Sequence, residues 1–191
     1  MSKSFTDHER SIIRDNLILA CKECWYRYGY QKTNVRELAV RADISAGSFY
    51  QFYTSKELLF VDTAEIYEKE MIEKFHSCMA KYPGKHGLAE AMKEMAKMIS
   101  TLPWFTSMLE DWPVILRKLP PDYAERDFMQ GMSQMKEIID TYKMKPTLGI
   151  EKTTHIIDVL VTCVLQQQNG SEGSGDARDY IIDCVVDSLF E

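Results

Sequence analysis

Apolar residues recur at spacings of three and four along almost the whole chain, and the strict alternation typical of strands is nearly absent. The first such stripe follows Thr6 and Glu9, which have the spacing of a capping box at a helix start. Gly29 ends it, because glycine adopts the left-handed conformation of helix ends without steric cost. We therefore predict a first helix from Thr6 to Gly29, with this apolar face: Ile13, Leu17, Ala20, Cys21, Cys24, Trp25 and Tyr28.

Two short helices are predicted next, over residues 34–42 and residues 45–53. Thr33 or Asn34 can cap the first of them, and Ser45 can cap the second, because hydroxyl and amide oxygens accept hydrogen bonds from the free amides of a first turn. Asp43 and Ile44 form the turn between the two helices. The apolar residues that face inward are Val35, Leu38, Ala39, Phe49 and Phe52.

The remainder of the chain is also predicted to be helical. Thr54 and Glu57 form another capping box, which opens a long helix ending near Lys81. Later helices are predicted over residues 86–102, 122–143, 150–168 and 177–190, and a flexible loop over residues 169–176. Four prolines, at positions 103, 113, 120 and 121, are expected to break the segment that contains them into short pieces. The pattern predicts an all-α fold with about nine helices.

Composition limits the class of protein. The 191 residues can bury a core without a metal or disulfide, and five irregularly spaced cysteines indicate reduced thiols. No apolar run resembles a signal peptide or is long enough to cross a membrane, so we expect a cytoplasmic protein without a membrane partner. The net charge of -6 is unusual for a nucleic-acid binder. However, residues 1–58 hold 9 Lys and Arg against 7 Asp and Glu, which leaves 14 against 22 for the rest.

Residues 34–53 have the pattern of a helix-turn-helix, in which two short helices pack through a small residue and several apolar ones. Ala39 is the small residue, and Leu38, Ile44, Phe49 and Phe52 are the apolar ones. Asp43 stands where glycine is most common, and aspartate tolerates the left-handed conformation better than most residues.

Residues 10–60 resemble the amino-terminal domain of the tetracycline-repressor (TetR) family of transcriptional regulators. The resemblance lies in Trp25-x3-Gly29-Tyr30, the run 33–39, Ile44-Ser45-x-Gly47, Phe49-Tyr50 and Ser55-Lys56-Glu57-x-Leu59. It implies a three-helix DNA-binding head over residues 1–58, followed by a larger helical effector-binding and dimerisation domain over residues 59–191. The function it implies is a DNA-binding regulator, a repressor that a small apolar or aromatic effector releases from a near-palindromic operator.

The resemblance also implies the residues that contact DNA. Thr33, Tyr50 and Lys56 would hold backbone phosphates, which fix a protein on the duplex without reading sequence. Base reading would belong to Arg36 and to the exposed face of the third helix, which comprises Ser45, Ala46, Gly47, Ser48 and Gln51. Other roles stay open: Tyr50 could pack across the helix pair, Lys56 could be a solvated cation, and Arg36 and Gln51 could contact only backbone or water.

Ten of the eleven methionines follow residue 58, and methionine is common at adaptable apolar surfaces. Because the family's effector cavity lies among its central helices, the expected lining residues are Trp104, Phe105, Met108, Trp112, Phe128, Met132 and Met135. The alternative is that most of them fill the core. The neighbouring acids Glu110 and Asp111 could neutralise a cationic effector or could simply be exposed.

The last two long helices carry apolar stripes that the resemblance assigns to a homodimer interface, although such stripes also suit the core of a monomer. The expected interface residues are Ile156, Ile157, Leu160, Val164, Tyr180, Ile181, Cys184, Val185 and Leu189. A two-fold dimer would place two reading heads about 34–36 Å apart, one helical turn of DNA.

Other classes of function receive less support from the sequence. An all-helical enzyme would need a phosphate loop, a metal motif or clustered histidines, and none is present. Cys21-x2-Cys24 falls on an apolar stripe and is interpreted as packing, so we expect no metal and no cofactor. An architectural DNA-binding protein of the same fold, with no small-molecule effector, is the alternative to a ligand-responsive repressor.

Overall fold

The computed structural model describes residues 5–166 and 174–191, and within them the chain forms helices joined by short turns. The all-α prediction is confirmed. The described helices are α1 (Asp7–Lys32), α2 (Val35–Arg41), α3 (Ala46–Phe49), α4 (Lys56–Lys81), α5 (Gly84–Ser100), α6 (Pro103–Leu116), α7 (Asp122–Thr141), α8 (Ile150–Gln166) and α9 (Ser174–Leu189). None of these helices is long and apolar enough to span a lipid bilayer.

The chain divides into two compact units, each with its own apolar core. The first unit comprises residues 1–69 and 103–124, so that α6 belongs to it together with α1, α2, α3 and the first part of α4. Its core contains Leu17, Cys21, Trp25, Tyr30, Leu38, Phe49, Phe60 and Ile115, all of them completely buried. This packing division differs from the functional boundary predicted at residue 58, because α6 packs along α1.

The second unit comprises residues 70–102 and 125–191. Within it α5 packs against α8 and α9. The core contains Met79, Leu88, Ala91, Ile139, Ile157, Leu160, Ile182, Val186, Leu189 and Phe190. The inner faces of α5, α8 and α9 therefore supply most of this core.

The predicted start of α1 is confirmed. The side-chain oxygen of Thr6 accepts from the Glu9 amide, and the Glu9 carboxylate accepts from the Thr6 amide at 2.8 Å. Gly29 interrupts the helix with φ 71° and ψ 172°, a conformation almost restricted to glycine, and one short turn follows it. Six of the seven residues on the predicted inner face are at least partly buried, but Tyr28 is exposed.

Three predicted features differ in the structure. The prolines do not fragment α6: Pro103 takes the first helical position, where its missing N–H costs nothing, and Pro113 lies inside the helix. Packing of α6 against α1, with Ile115 completely buried in the first core, accounts for this continuity. The third helix contains only residues 46–49 before its chain continues as turns, and α9 begins at Ser174. The predicted loop over residues 169–176 falls mostly outside the described residues.

Candidate nucleic-acid interface

The α2–turn–α3 segment is held in shape by local caps. The Asn34 side chain accepts from the Glu37 amide at 3.0 Å and starts α2, which identifies Asn34 rather than Thr33 as its cap. Asp43 adopts the left-handed conformation with φ 56°, and the Ile44 amide then donates back to the Ala39 carbonyl at 2.9 Å. The Ser45 hydroxyl caps α3 by accepting from the Ser48 amide at 3.0 Å. The predicted helix-turn-helix therefore forms.

Most of the residues predicted to face DNA lie on the surface of this segment. Arg36, Ser45, Ala46, Gly47 and Tyr50 are exposed, whereas Ser48 and Gln51 are half-buried. The Ser45 and Ser48 hydroxyls lie 2.8 Å apart and bond to each other, which leaves them less able to read bases.

Gly47 is not explained by packing within the protein. A Cβ added there would meet only the Ser45 hydroxyl, at 3.8 Å, which is an ordinary contact. Gly47 also lies in regular helix, so no unusual backbone conformation requires glycine. Neither packing nor backbone conformation within the described residues therefore requires glycine at this position.

Arg36 and Tyr50 present polar atoms outward. Neither the Arg36 guanidinium nor the Tyr50 hydroxyl makes a hydrogen bond within the described part of the chain. The Tyr50 ring meets Phe49 edge-on, with centroids 5.5 Å apart, so the phenol is fixed while 57% of the residue remains exposed. By contrast, the Arg41 guanidinium of the same helix pair is bound to Glu23 at 2.9 Å and to Glu37 at 3.1 Å.

Two of the predicted phosphate contacts are turned into the protein. Thr33 is 1% exposed, and its hydroxyl donates to the Gly29 carbonyl at 2.8 Å, so in this conformation its side chain cannot meet a phosphate. The Lys56 ammonium donates to the carbonyls of Tyr30 at 2.8 Å and of Thr33 at 2.7 Å. Burial lowers the pKa of Lys56. Only one N–H of this ammonium is left for DNA.

Residues 45–53, which contain α3, form the recognition segment. Its carboxyl end, residues 50–53, is anchored by arginines of α1. Arg10 donates to the Gln51 carbonyl at 2.9 Å and lies over the Phe52 ring. Arg14 binds both oxygens of Asp62 at 2.8 Å, and the Tyr53 hydroxyl donates to the same carboxylate. The contacts of the two arginines join residues that are 39–48 positions apart in the sequence, and Tyr53 and Asp62 are 9 positions apart. No motif in the sequence indicates any of these contacts.

Tyr30 is the centre of a second network, just after the Gly29 kink of α1. Its backbone N–H donates to the Asp111 carboxylate at 2.7 Å, its carbonyl accepts from Lys56, and its hydroxyl donates to Glu57. Burial by itself raises the pKa of Glu57, but hydrogen bonds, led by the one from Tyr30, outweigh it and lower that pKa below the ordinary value. Asp111 is therefore a structural acid of α6, bonded rather than freely exposed.

The residues predicted to line an effector cavity are divided between the two units. Trp104 and Phe105 are buried in the first unit, and Met108 and Trp112 pack against the core of that unit. Met135 packs in the second core. The side chains of Phe128 and Met132 lie outside the described residues. The indole N–H of Trp104 is buried and has no acceptor within the described part of the chain.

The residues predicted to form a dimer interface differ in how deeply they are buried. Ile157, Leu160 and Leu189 are at most 5% exposed and fill the core of their own unit, so they are unavailable to a partner. Ile156, Val164 and Val185 are partly buried against that core. Tyr180 is 70% exposed, Ile181 is 45% exposed and Cys184 is exposed. Val159 and Cys163 on α8, which the sequence did not single out, are exposed as well.

The two cysteines of α1 pack in the first core, as predicted. Cys21 and Cys24 are completely buried, and burial raises the pKa of both thiols, which keeps them protonated. No cluster of three or more metal-ligating side chains occurs among the described residues.

Comparison with known proteins agrees with this site. Residues 17–63, which contain α2, α3 and the start of α4, match the family model of bacterial regulatory proteins of the tetR family. The chain is similar to the HTH-type transcriptional repressor AcnR of Corynebacterium diphtheriae, with 22% identity over 187 residues, which is 95% of this chain and 93% of that protein.

Solved structures share the fold. A TetR family transcription regulator from Marinobacter aquaeolei VT8 is similar with a TM-score of 0.68 at 14% identity, over 97% of this chain and all of that one. FadR of Thermus thermophilus, a TetR-family repressor in complex with lauroyl-CoA, is similar with a TM-score of 0.59 at 18% identity, over 91% of this chain and 89% of that one.

Proposed function

Because the chain belongs to the TetR family of transcriptional regulators, we propose that it represses transcription by binding a near-palindromic operator and is released from it by a small apolar or aromatic effector. A transcriptional regulator of this type is not an enzyme. The observation that carries the DNA-binding part of the proposal is the exposed face of α3, where Gly47 leaves the backbone open and no packing within the protein requires it to do so.

DNA would be held and read by different groups of this face. The Tyr50 hydroxyl and the Arg36 guanidinium point outward and can donate to phosphates or base edges without breaking any bond within the described residues. Gln51, next to Tyr50, can pair with adenine N6 and N7. Thr33 and Lys56 would act mainly by shaping the backbone between α1 and α2, from within the protein.

A homodimer would form through the outer faces of α8 and α9. Tyr180, Ile181 and Cys184 give α9 an exposed, largely apolar stripe, and Val159 is exposed on α8. Contiguous apolar residues on a surface favour a protein interface. An isologous pairing of these faces would give the two heads the two-fold symmetry that a palindromic operator requires.

The effector proposal is supported by one unsatisfied group. Trp104 is 5% exposed, and its indole N–H has no acceptor among the described residues, which costs free energy that a ligand oxygen could recover. FadR of Thermus thermophilus, a relative of the same fold, binds lauroyl-CoA. We therefore propose an effector that combines an apolar body with an acceptor group. Trp104→Phe removes the N–H and should weaken effector binding, as measured by titration of the effector onto the folded variant.

Selection of bound duplexes from a random DNA library, followed by footprinting, tests the proposal. We expect a near-palindromic motif whose half-sites are about one helical turn apart, and an affinity that falls steeply with salt because phosphate contacts release counterions. Titration of candidate effectors onto the bound duplex then tests release. If no motif is enriched, the proposal of a specific operator is contradicted. If saturating ligands bind the protein and none of them changes its affinity for DNA, the proposal of effector control is contradicted.

A further inference from the structure

The backbone that follows the Gly29 kink of α1 is fixed by bonds from other helices. Gly29 interrupts α1, so the Tyr30 N–H cannot continue the regular helical pattern across the kink. Asp111 of α6 accepts from the Tyr30 N–H, and Lys56 of α4 donates to the Tyr30 and Thr33 carbonyls. Each of these groups would otherwise be left unpaired next to the first core.

Asp111 bridges the two sides of the kink. One of its oxygens, Oδ2, accepts both from Trp25 Nε1 at 3.1 Å, before Gly29, and from the Tyr30 amide at 2.7 Å, after it. A Cβ at position 29 would lie 3.4 Å from the same oxygen. The carboxylate thus sits in the concave side of the kink, and its charge strengthens both bonds.

We infer that Asp111 is a positioning residue for DNA binding. By holding Trp25 and Tyr30 together it sets the direction in which the chain leaves α1 and enters α2. Since α3 packs on α2 through a short turn, this direction also sets the orientation of the recognition segment.

The inference rests on the proposed DNA-binding function, and the neighbouring acid of α6 provides a matched control. Glu110 is exposed, and Glu110→Ala changes the net charge by the same amount as Asp111→Ala. Asp111→Asn keeps an acceptor oxygen in place and serves as the conservative variant. The affinity of each variant for the selected operator is measured over a series of salt concentrations, at a temperature where circular dichroism shows all of them folded.

We expect Asp111→Ala to bind the operator at least about tenfold more weakly, since two bonds to a charged acceptor are lost, and Asp111→Asn to recover most of this loss. Glu110→Ala should bind at least as tightly as the parent. The slope of log Kd against log salt should be the same for all variants, because Asp111 touches no phosphate. Because every variant is folded at the temperature of measurement, a global loss of stability would not account for weaker binding.

Hydrogen exchange tests the same inference without DNA. In Asp111→Ala, protection of the Tyr30 amide should fall by an order of magnitude or more, whereas amides in the middle of α4 keep theirs. The inference is overturned if Asp111→Ala binds the operator like Glu110→Ala, or if Tyr30 protection is unchanged. A parent protein that binds no duplex would instead contradict the proposed function, and Tyr30 protection would still decide the role of Asp111.

Discussion

Gly47 and Gly29 illustrate two different reasons for glycine. At Gly29 the backbone needs a conformation that other residues avoid, and the Asp111 carboxylate fills the space beside it. At Gly47 the backbone is helical and the space is open. The first glycine belongs to the fold, and the second is free to serve a partner.

The two glycines should therefore respond oppositely to alanine. Gly29→Ala should lower the free energy of unfolding by about 1–3 kcal/mol, the cost of a glycine-only conformation. Gly47→Ala should leave stability unchanged or raise it by up to about 1 kcal/mol, since alanine favours helix. It should nevertheless weaken operator binding by about tenfold, equivalent to roughly 1.4 kcal/mol. Urea unfolding and fluorescence anisotropy measure the two effects, and unchanged operator affinity in Gly47→Ala would refute close approach at α3.

Lys56 allows a test of its inward orientation. Lys56→Met keeps the length of the side chain but removes the donors to the Tyr30 and Thr33 carbonyls, so the free energy of unfolding should fall by about 1–3 kcal/mol. The salt dependence of operator affinity should stay parallel to that of the parent. Lys69→Met, an exposed lysine of α4, is the control for loss of charge and should not change stability. A slope reduced by about 0.9 in Lys56→Met would show a phosphate contact at this lysine.

Local sequence explains why some elements were predictable and others were not. The capping box of α1, the cap of α2 and the Asp43 turn depend on residues within a few positions of one another, so local sequence predicted all three, with Thr33 and Asn34 left as alternatives for the cap. The continuity of α6 through Pro113 depends on packing against α1, which is distant in sequence. Asp111 could not be assigned for the same reason, because 86 residues separate it from Trp25.

The junction of α1 with α4 should be sensitive to acid. The pKa of Glu57 is lowered in the folded protein, chiefly by the Tyr30 hydroxyl against the opposing effect of burial. A lowered carboxyl pKa contributes stability above the ordinary glutamate pKa, and this contribution is lost as the pH falls through the lower folded value.

Glu57→Gln should consequently remove part of the pH dependence of unfolding. The difference in unfolding free energy between parent and variant should be constant near neutral pH and should shrink as the pH is lowered past the ordinary glutamate range, near about 4.3. Chemical unfolding of both proteins at a series of pH values measures this difference in free energy. Glu65→Gln, an exposed glutamate of α4, should follow the parent at every pH, and a Glu57→Gln curve parallel to the parent would contradict the assignment.

The distribution of charge along the chain agrees with DNA binding by its amino-terminal part. Residues 1–58 carry 9 Lys and Arg against 7 Asp and Glu, and the rest of the chain carries 14 against 22. The excess of acids after residue 58 repels phosphates, while the small positive excess before it makes the placement of single groups such as Arg36 decisive.

Dimerisation should depend on the exposed face of α9. Ile181→Glu places a charge on a residue that is 45% exposed, so the fold should survive while the apolar contact with a second copy is lost. Analytical ultracentrifugation should show a monomer, and operator affinity should fall because a single head binds one half-site. Leu148→Glu, which changes a residue 52% exposed outside the α8 and α9 stripe, should remain a dimer. A dimer of normal strength in Ile181→Glu would place the interface elsewhere.

The most direct test of the account compares the operators selected by the parent protein and by Gln51→Ala. If the face of α3 reads bases in a two-fold dimer, both proteins should enrich a near-palindrome with half-sites about one helical turn apart. The variant should lose base preference at the same position of each half-site and keep the others. Identical motifs from the two proteins would contradict base reading at Gln51, and the absence of any symmetric motif from the parent would contradict the central claim that this chain is a dimeric operator-binding regulator.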